Sequence, residues 1–408
     1  MTGNKTVHLV YVNAEKNNNK YYTMRDNGNG SWTAIYGRVG YGKGRTMQYP
    51  MSVWERKRNE KIAKGYKDQT YLYNSSTTAD ELELQVEPKP IKEKQVGLLI
   101  DYLIQCARHT IEQNYTISIN QVSGSMIEDA KKLLVKLEDC PSKAEFNYVL
   151  MDLFYSLPRR MNKVSDYLAE DESQFTKIIS REFDLLQMME SMMKQESNKR
   201  ILSNKRMQDT DTILDKLGLE IYEATDEQVH FVVRHLGERL KNKVINIYRV
   251  INRGTRQKFE DYLKKNGQPE VKMLWHGSLN ENWMSILEKG LLIKPVAKTN
   301  GSMFGKGIYF APSPSKSWGY TSSSDAVYTH ESQNKAFMGL FAVATGKQKD
   351  LYSWNSTYSS LTSATFKKSY LDYDSFYAHG STTMLKNDEI ILFREDQMTM
   401  DYLVEFRG

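Results

Sequence analysis

Apolar and polar positions alternate with period two near the start of the chain, then settle into a helical period through its middle. Residues 6–12 (Thr-Val-His-Leu-Val-Tyr-Val) and 20–25 are rich in β-branched and aromatic side chains and predict strands. Asn27-Gly28-Asn29-Gly30 predicts a hairpin turn, because these residues tolerate positive φ. A strand from Trp32 to Val39 follows, then a glycine-rich turn at Gly40-Tyr41-Gly42-Lys43-Gly44, and from Met51 the pattern turns helical through residue 66. Residues 77–92 mix threonines, acids and two prolines without a period and read as a linker. From Glu93 to Asp209 the chain predicts helix throughout. Its apolar stripes are Val96-Leu99-Ile100-Leu103-Ala107, then Ile127-Ala130-Leu134-Leu137 behind a capping box at Ser125–Glu128. Phe146 to Leu157 make another stripe, ended by Pro158, and Ile179, Phe183, Leu186, Met189 and Met193 make the last. The methionines at 188–193 predict core packing rather than a pliable surface.

Beyond Leu217 the pattern becomes strand-like, with clear alternation at Val244–Val250. Strands are predicted at Val244–Val250, Met273–Trp275, Ile308–Phe310, Phe337–Thr345, Asp388–Phe393 and Tyr402–Phe406. A short polar helix is expected at 258–266 and a second at Trp283–Leu287, stopped by Gly290. Many short strands with few helices predict a mixed, mainly antiparallel sheet fold. A dinucleotide-binding βαβ fold is excluded, because no G-x-G-x-x-G opens a helix after a first strand.

Composition narrows the class. A hydrophobic fraction of 40% with no apolar run of eighteen residues reads as globular and predicts no membrane span. The N-terminal residues lack the apolar core of a secretory signal, so secretion is not expected. Cys106 and Cys140 are the only cysteines, which points to a reducing compartment and leaves no zinc-finger spacing. Of the formal net charge of +6, residues 1–70 hold thirteen Lys/Arg against five Asp/Glu. The basic surplus therefore sits in the N-terminal module, a weak signal for nucleic acid.

The candidate chemistry lies in 273–310. A strand delivers His276-Gly277-Ser278 into a turn, and a loop carrying Gly301, Gly305 and Gly307 feeds Ile308-Tyr309-Phe310. A polar residue at each strand end, with glycines permitting close backbone approach, fits a small-molecule cleft. His-Gly-Ser followed by Gly-Lys-Gly-Ile-Tyr-Phe-Ala resembles the catalytic domain of the poly(ADP-ribose) polymerases, whose His-Tyr-Glu triad Glu389 completes in Asn387-Asp388-Glu389-Ile390. Asn19-Lys20-Tyr21-Tyr22 and Tyr36-Gly37-Arg38-Val39-Gly40 resemble the same family's WGR module, and Phe154–Pro158 its helical regulatory domain.

The resemblance implies a multidomain α+β protein. It would comprise a small β-rich WGR-like DNA-binding domain (1–76), a linker (77–92), an all-α regulatory bundle (93–209) and a mainly antiparallel ADP-ribosyltransferase domain (213–408). NAD would be its substrate, with no metal. DNA strand breaks, acceptor proteins including the chain itself, and an accessory factor would be partners, with no membrane. Location would be nuclear in a eukaryote and otherwise intracellular. His276, Tyr309 and Glu389 would be catalytic. NAD would be held by His276, Gly277, Ser278, Asn282, Tyr309, Lys316, Ser317 and Tyr320, with the two tyrosines sandwiching nicotinamide. Tyr36 would stack on a DNA end and Arg38 would take phosphate. Asp184 and Glu190 are both candidates for the family's regulatory acid.

Each residue has a plainer reading. A histidine at a strand end is ordinarily structural, Tyr309 could be core, Tyr320 surface, and Tyr36 and Arg38 could simply pack in a sheet. There are also departures. Leucine stands at 292 where the family has arginine, serine at 302 and asparagine at 387 where it has tyrosine, and aspartate at 388 where it has asparagine. The loop 351–384 is shorter than in long-looped members. These changes bear on the acceptor side and chain elongation more than on NAD use.

Overall fold

The computed structural model describes residues 5–13, 17–39, 44–71, 90–201, 212–298, 302–327, 329, 333–383 and 385–408. The glycines expected in turns at 40, 42 and 301 and most of the linker, 77–89, lie outside them.

Strands β1 (Thr6–Asn13), β2 (Asn18–Asp26), β3 (Ser31–Arg38), β4 (Arg45–Pro50) and β5 (Lys67–Asp68) form an antiparallel sheet in the order β4-β3-β2-β1-β5. Gly28 and Gly30 take φ of 75° and 79° in the predicted hairpin turn. Helix α1 (Trp54–Ala63) covers one face through Trp54, whose ring meets Trp32 edge-on at 5.3 Å over Val7, Leu9 and Met24.

Four longer helices follow: α2 (Lys94–Asn114), α3 (Gly124–Glu138), α4 (Lys143–Ser156) and α5 (Phe175–Ile201). Short 3-10 turns and irregular chain at 115–123 and 157–174 separate these helices, the second break opening beside the expected stop at Pro158. The capping box expected at Ser125 is absent, because Ser123, in extended backbone, caps α3 by accepting from the Met126 N–H at 3.3 Å. Ser125 and Glu128 therefore lie inside the helix, where Glu128 pairs with Lys131 on the surface. Met188, Met189 and Met192 are buried, as core packing requires.

Next come α6 (Ile213–Leu217), β6 (Leu219–Glu223), α7 (Asp226–Arg234), α8 (Glu238–Lys241), β7 (Val244–Asn252), α9 (Arg253–Lys265) and β8 (Val271–Gly277). Helix α9 begins five residues before the expected 258, because Asn252 caps it by accepting from the Thr255 N–H. The chain continues through α10 (Trp283–Lys289), β9 (Ile308–Phe310), α11 (Pro314–Trp318), β10 (Lys335–Ala344) and β11 (Gln348–Leu351). It ends with α12 (Ser363–Ser369), β12 (Ser375–Ala378), β13 (Glu389–Leu392) and β14 (Met398–Arg407). The stretch 351–384, expected as loop, thus holds a helix and a strand. Phe366 and Phe376 anchor them, and Phe366 stacks on Phe393 at 4.1 Å.

Among the described residues two sheets build this region, β6-β7-β14-β10-β8 and β11-β12-β13-β9, and of their strand pairs only β11–β12 is parallel. A bridge between Trp275 and Ala311 joins them.

The chain divides into two compact units. One takes the described residues of 1–84 and 110–178, the other those of 85–109 and 179–408. Helical residues from the segment 93–209 therefore contribute to both. No helix among the described residues is long and apolar enough to cross a membrane.

Candidate active site

Strand β8 lies at a sheet edge, paired with β10 so that His276 faces Gly339 and Gly277 faces Met338. Its free side meets the end of β9, where Trp275 and Ala311 exchange two backbone hydrogen bonds of 3.1 Å. That junction brings His276 to Tyr309. The His276 Nδ1–H donates to the Tyr309 carbonyl at 3.1 Å, leaving the Nε2 lone pair to accept from a ligand hydroxyl. Burial pushes the imidazole pKa down to about 4, with the nearby Lys294 charge acting in the same direction. The ring is therefore a neutral acceptor at physiological pH, flanked edge-on by Phe310 and Phe341.

Gly277 is a glycine for a steric reason. A Cβ there would stand 1.8 Å from the Ser317 carbonyl oxygen, because α11 packs its backbone directly onto β8. Ser317 is buried, and its hydroxyl donates to the Trp275 carbonyl at 3.0 Å. Bonding a ligand amide with that proton requires the hydroxyl to leave Trp275. Ser278 accepts from Asn282 Nδ2 at 3.0 Å, so these two predicted residues form one unit at the start of α10.

Tyr309 packs beside Phe304, Phe376 and Ile391. Its hydroxyl accepts from the Phe304 N–H at 3.1 Å and donates to the Gly305 carbonyl at 2.9 Å. Burial raises its pKa, and the Glu389 charge adds to the shift. Gly305 has φ of 88° and lies against the Leu361 carbonyl, where a Cβ would come within 2.6 Å. The glycine loop can thereby close over the tyrosine. Tyr320 is 41% exposed.

Glu389 opens β13, opposite Ala378 on β12, while Ile391, two residues on, faces Tyr309 on β9. The period of two along β13 puts Glu389 and Tyr309 on the same face of the sheet. Glu389 and Lys316 are both buried and form an ion pair. Lys316, expected among the donor-binding residues, is thus also the partner of the expected catalytic acid, a pairing that the sequence does not signal. The neighbouring acids are engaged elsewhere. Asp388 accepts from the Gly380 N–H at 2.8 Å and the Tyr377 hydroxyl at 2.7 Å, bonds that hold its carboxyl below the usual range. Glu395 accepts from the Ile293 N–H at 2.8 Å.

A polar network that the sequence did not signal braces the α10 side. Buried Asn280 donates through Nδ2 to the Tyr102 hydroxyl, to Gln333 Oε1 and to the Lys335 carbonyl. Lys335 also pairs with buried Glu405 at 2.6 Å.

In the other unit, Tyr36 stacks on Tyr22 with centroids 5.8 Å apart. Arg38 donates from Nη2 to both the carbonyl and the side-chain oxygen of Asn17, each at 2.9 Å. Asn17, at φ 47°, also accepts the Val164 N–H on its side-chain oxygen.

Two abutting, mainly antiparallel sheets with His276, Tyr309 and Glu389 at their junction are consistent with a poly(ADP-ribose) polymerase catalytic fold. Residues 227–408 match the family model described as Poly(ADP-ribose) polymerase catalytic domain, which supports that family for this part of the chain. The chain is 33% identical over 159 residues to uncharacterized protein 101L of Invertebrate iridescent virus 6, covering 38% of this chain and 64% of that protein. It is 34% identical over 113 residues to poly [ADP-ribose] polymerase 2 of Homo sapiens, 28% of this chain and 18% of that protein. Against poly [ADP-ribose] polymerase 1 of Gallus gallus the figure is 41% over 85 residues, 21% of this chain and 8% of that protein. The chain thus spans under two thirds of the viral relative and under a fifth of these two polymerases.

Proposed function

We propose that the protein is a DNA-break-responsive, NAD-dependent protein ADP-ribosyltransferase that builds poly(ADP-ribose) on proteins, itself included. The observation that carries the reading is the convergence of His276, Tyr309 and Glu389, brought together by strand pairing from positions far apart in the chain.

NAD enters with its carboxamide against the Gly277 backbone and Ser317, and the nicotinamide ring between Tyr309 and Tyr320. His276 Nε2 accepts from the adenosine ribose, with Ser278 and Asn282 on the same side. The glycosidic C–N bond breaks, its electron pair leaves with nicotinamide, and positive charge develops on the ribose. Glu389 stabilises that charge, as carboxylates do in glycoside cleavage, and orients the acceptor whose lone pair forms the new bond. The acceptor proton departs to Glu389 or to water. Buried Lys316 keeps the carboxylate in place through their ion pair.

DNA ends bind the N-terminal sheet, where Tyr36 presents an aromatic face and Arg38 a cationic fork. The Arg38–Asn17–Val164 connection supports coupling between that surface and the helical segment of the same unit. Helix residues 179–201 cover the donor side and hold catalytic turnover low until DNA is bound. In a eukaryotic cell the protein works in the nucleus.

The test is a reaction of the purified chain with labelled NAD, with and without broken DNA, resolved on a gel and scored for nicotinamide release. A DNA-dependent ladder is expected. A single band would replace polymerisation with single-unit transfer, release without labelled protein would make the chain an NAD glycohydrolase, and no release at all would overturn the reading.

A further inference from the structure

A cavity of about 580 Å³ opens beside α2, and none of its lining residues belongs to the candidate active site. All of them fall in the unit that holds residues 179–408. Along α2 the lining positions Lys94, Gly97, Asp101, Ile104 and Arg108 recur every three or four residues, the spacing of one helix face. At 1.5 Å per residue that face runs for about 20 Å, so the cavity is a slot rather than a chamber. Ile91 before the helix, Leu98 and Ile104 on it, and Ile213 at the start of α6 give the slot apolar walls. Gly97 widens it. A Cβ there would stand 3.9 Å from the Ile91 Cβ, in ordinary contact, so the missing side chain leaves room without any clash to require it.

The charges around the slot are mostly of one sign. Lys92 and Lys94 stand where α2 begins, Lys216 comes from α6, and Arg108 lies further along α2. Asp101 is the one acid among the lining residues. Asp215, beside Lys216, is taken up in capping α6, where it accepts from the Thr212 N–H at 2.8 Å and the Thr212 hydroxyl at 2.7 Å. The positive end of the α2 dipole adds to the field at Lys94. Gln195 of α5 is a second, independent sign. It lines the slot at 7% exposure, and its Nε2 has no hydrogen-bond partner among the described residues. An unpaired buried amide proton is a standing cost that an oxygen delivered into the slot removes.

We propose that this slot binds a linear organic anion, an alkyl chain ending in a phosphate. The chain lies along Ile91, Leu98, Ile104 and Ile213. The phosphate meets Lys92 and Lys94 at the start of α2, and a ligand oxygen takes the Gln195 amide proton. A phosphate suits these donors because it brings up to two negative charges and three terminal acceptor oxygens. The apolar walls add nothing for a bare inorganic ion, and the lysines repel a cationic amphiphile. The volume falls in the range of small-molecule sites. This site is independent of the donor reading above.

The full chain is titrated by calorimetry with three probes. Octyl phosphate carries tail and charge, octyl glucoside the same tail without charge, and inorganic phosphate the head without a tail. Octyl phosphate should bind at least about tenfold more tightly than either of the others. Lys92→Gln/Lys94→Gln should weaken octyl phosphate on the order of tenfold and leave octyl glucoside within about twofold, since only charge-assisted bonds are lost. Gly97→Leu should fill the slot and weaken both octyl ligands at least about tenfold. Its melting midpoint should stay level or rise, because a helical glycine has been replaced. Gln195→Leu should weaken octyl phosphate several-fold, again with a level or higher midpoint, since no buried amide remains to be satisfied. Octyl glucoside binding as tightly as octyl phosphate would make the slot merely apolar and overturn the proposal. Full octyl phosphate affinity in Gly97→Leu would place the ligand elsewhere and overturn it as well. So would a wild-type chain that binds no octyl phosphate. Should binding then appear in Glu81→Gln/Glu83→Gln/Glu87→Gln, the slot belongs to the chain's own acidic residues instead.

Discussion

Glutamine at 389 separates what the carboxylate does for the fold from what it does for the reaction. Glu389 and Lys316 are 8% and 7% exposed, so Glu389→Gln strands an ammonium in an enclosed site. Breaking a buried pair from one side costs about 3–5 kcal/mol, against about 0–1 kcal/mol for an exposed bridge. At about 2–4 °C per kcal/mol for a unit of this size, the melting midpoint should drop by roughly 6–20 °C. Lys316→Met, which strands the carboxylate instead, should cost a similar amount. The double variant Lys316→Met/Glu389→Gln removes both charges and keeps most of the side-chain volume. It should recover to within about 2 kcal/mol of wild type, giving a coupling energy of several kcal/mol. Transfer should not recover with it. Nicotinamide release and labelling should stay down by about 10²–10⁴ in both glutamine variants, the usual cost of losing a positioned acid–base group. The assay is thermal unfolding of the four proteins alongside release of labelled nicotinamide. A glutamine variant that melts within about 2 °C of wild type would refute the buried-pair argument. A double variant with restored transfer would show that Glu389 serves only to neutralise Lys316.

The imidazole of His276, held near pKa 4 by burial, makes a second test, with donor affinity measured from pH 8 downward. Affinity should be flat to about pH 5 and fall as pH drops through about 4; an inflection near the ordinary 6.5 would contradict the enclosed, neutral ring. Between pH 6.5 and 4 the unfolded chain takes up a proton at this ring that the native state does not, so stability should decline as pH falls through that window. Gly277→Ala places a Cβ 1.8 Å from the Ser317 carbonyl oxygen and forces α11 off β8. Overpacking of this kind costs about 1–3 kcal/mol or more, so nicotinamide should bind at least about fivefold more weakly by competition titration. Wild-type affinity there would mean that the two backbones are not in contact.

Local chemistry was legible in the chain. Alternation located β7, β-branched and aromatic residues located β1, an apolar run located β10, and the helical stripes located the buried faces of α2, α3 and α4, because these patterns follow from backbone geometry and side-chain shape. His276, Tyr309 and Glu389 were recognisable because short motifs carry them. Other features depended on which distant segments meet. Ser123 outcompeted Ser125 as a cap through its extended backbone, a choice between two hydroxyls that the Ser-x-x-Glu spacing does not distinguish. Lys316 met Glu389 across 72 intervening positions only because α11 packs on β8 and β9 pairs with β13. The same packing explains why 277 must be glycine, since the atom a side chain would strike belongs to Ser317. Asp388 and Glu389 are adjacent in the chain, yet Asp388, just before β13, turns to Gly380 and Tyr377, while Glu389, the first residue of β13, meets Lys316. Charge and residue type are properties of the sequence. Burial and partnership, which decide what those charges can do, come from contacts between segments far apart in it.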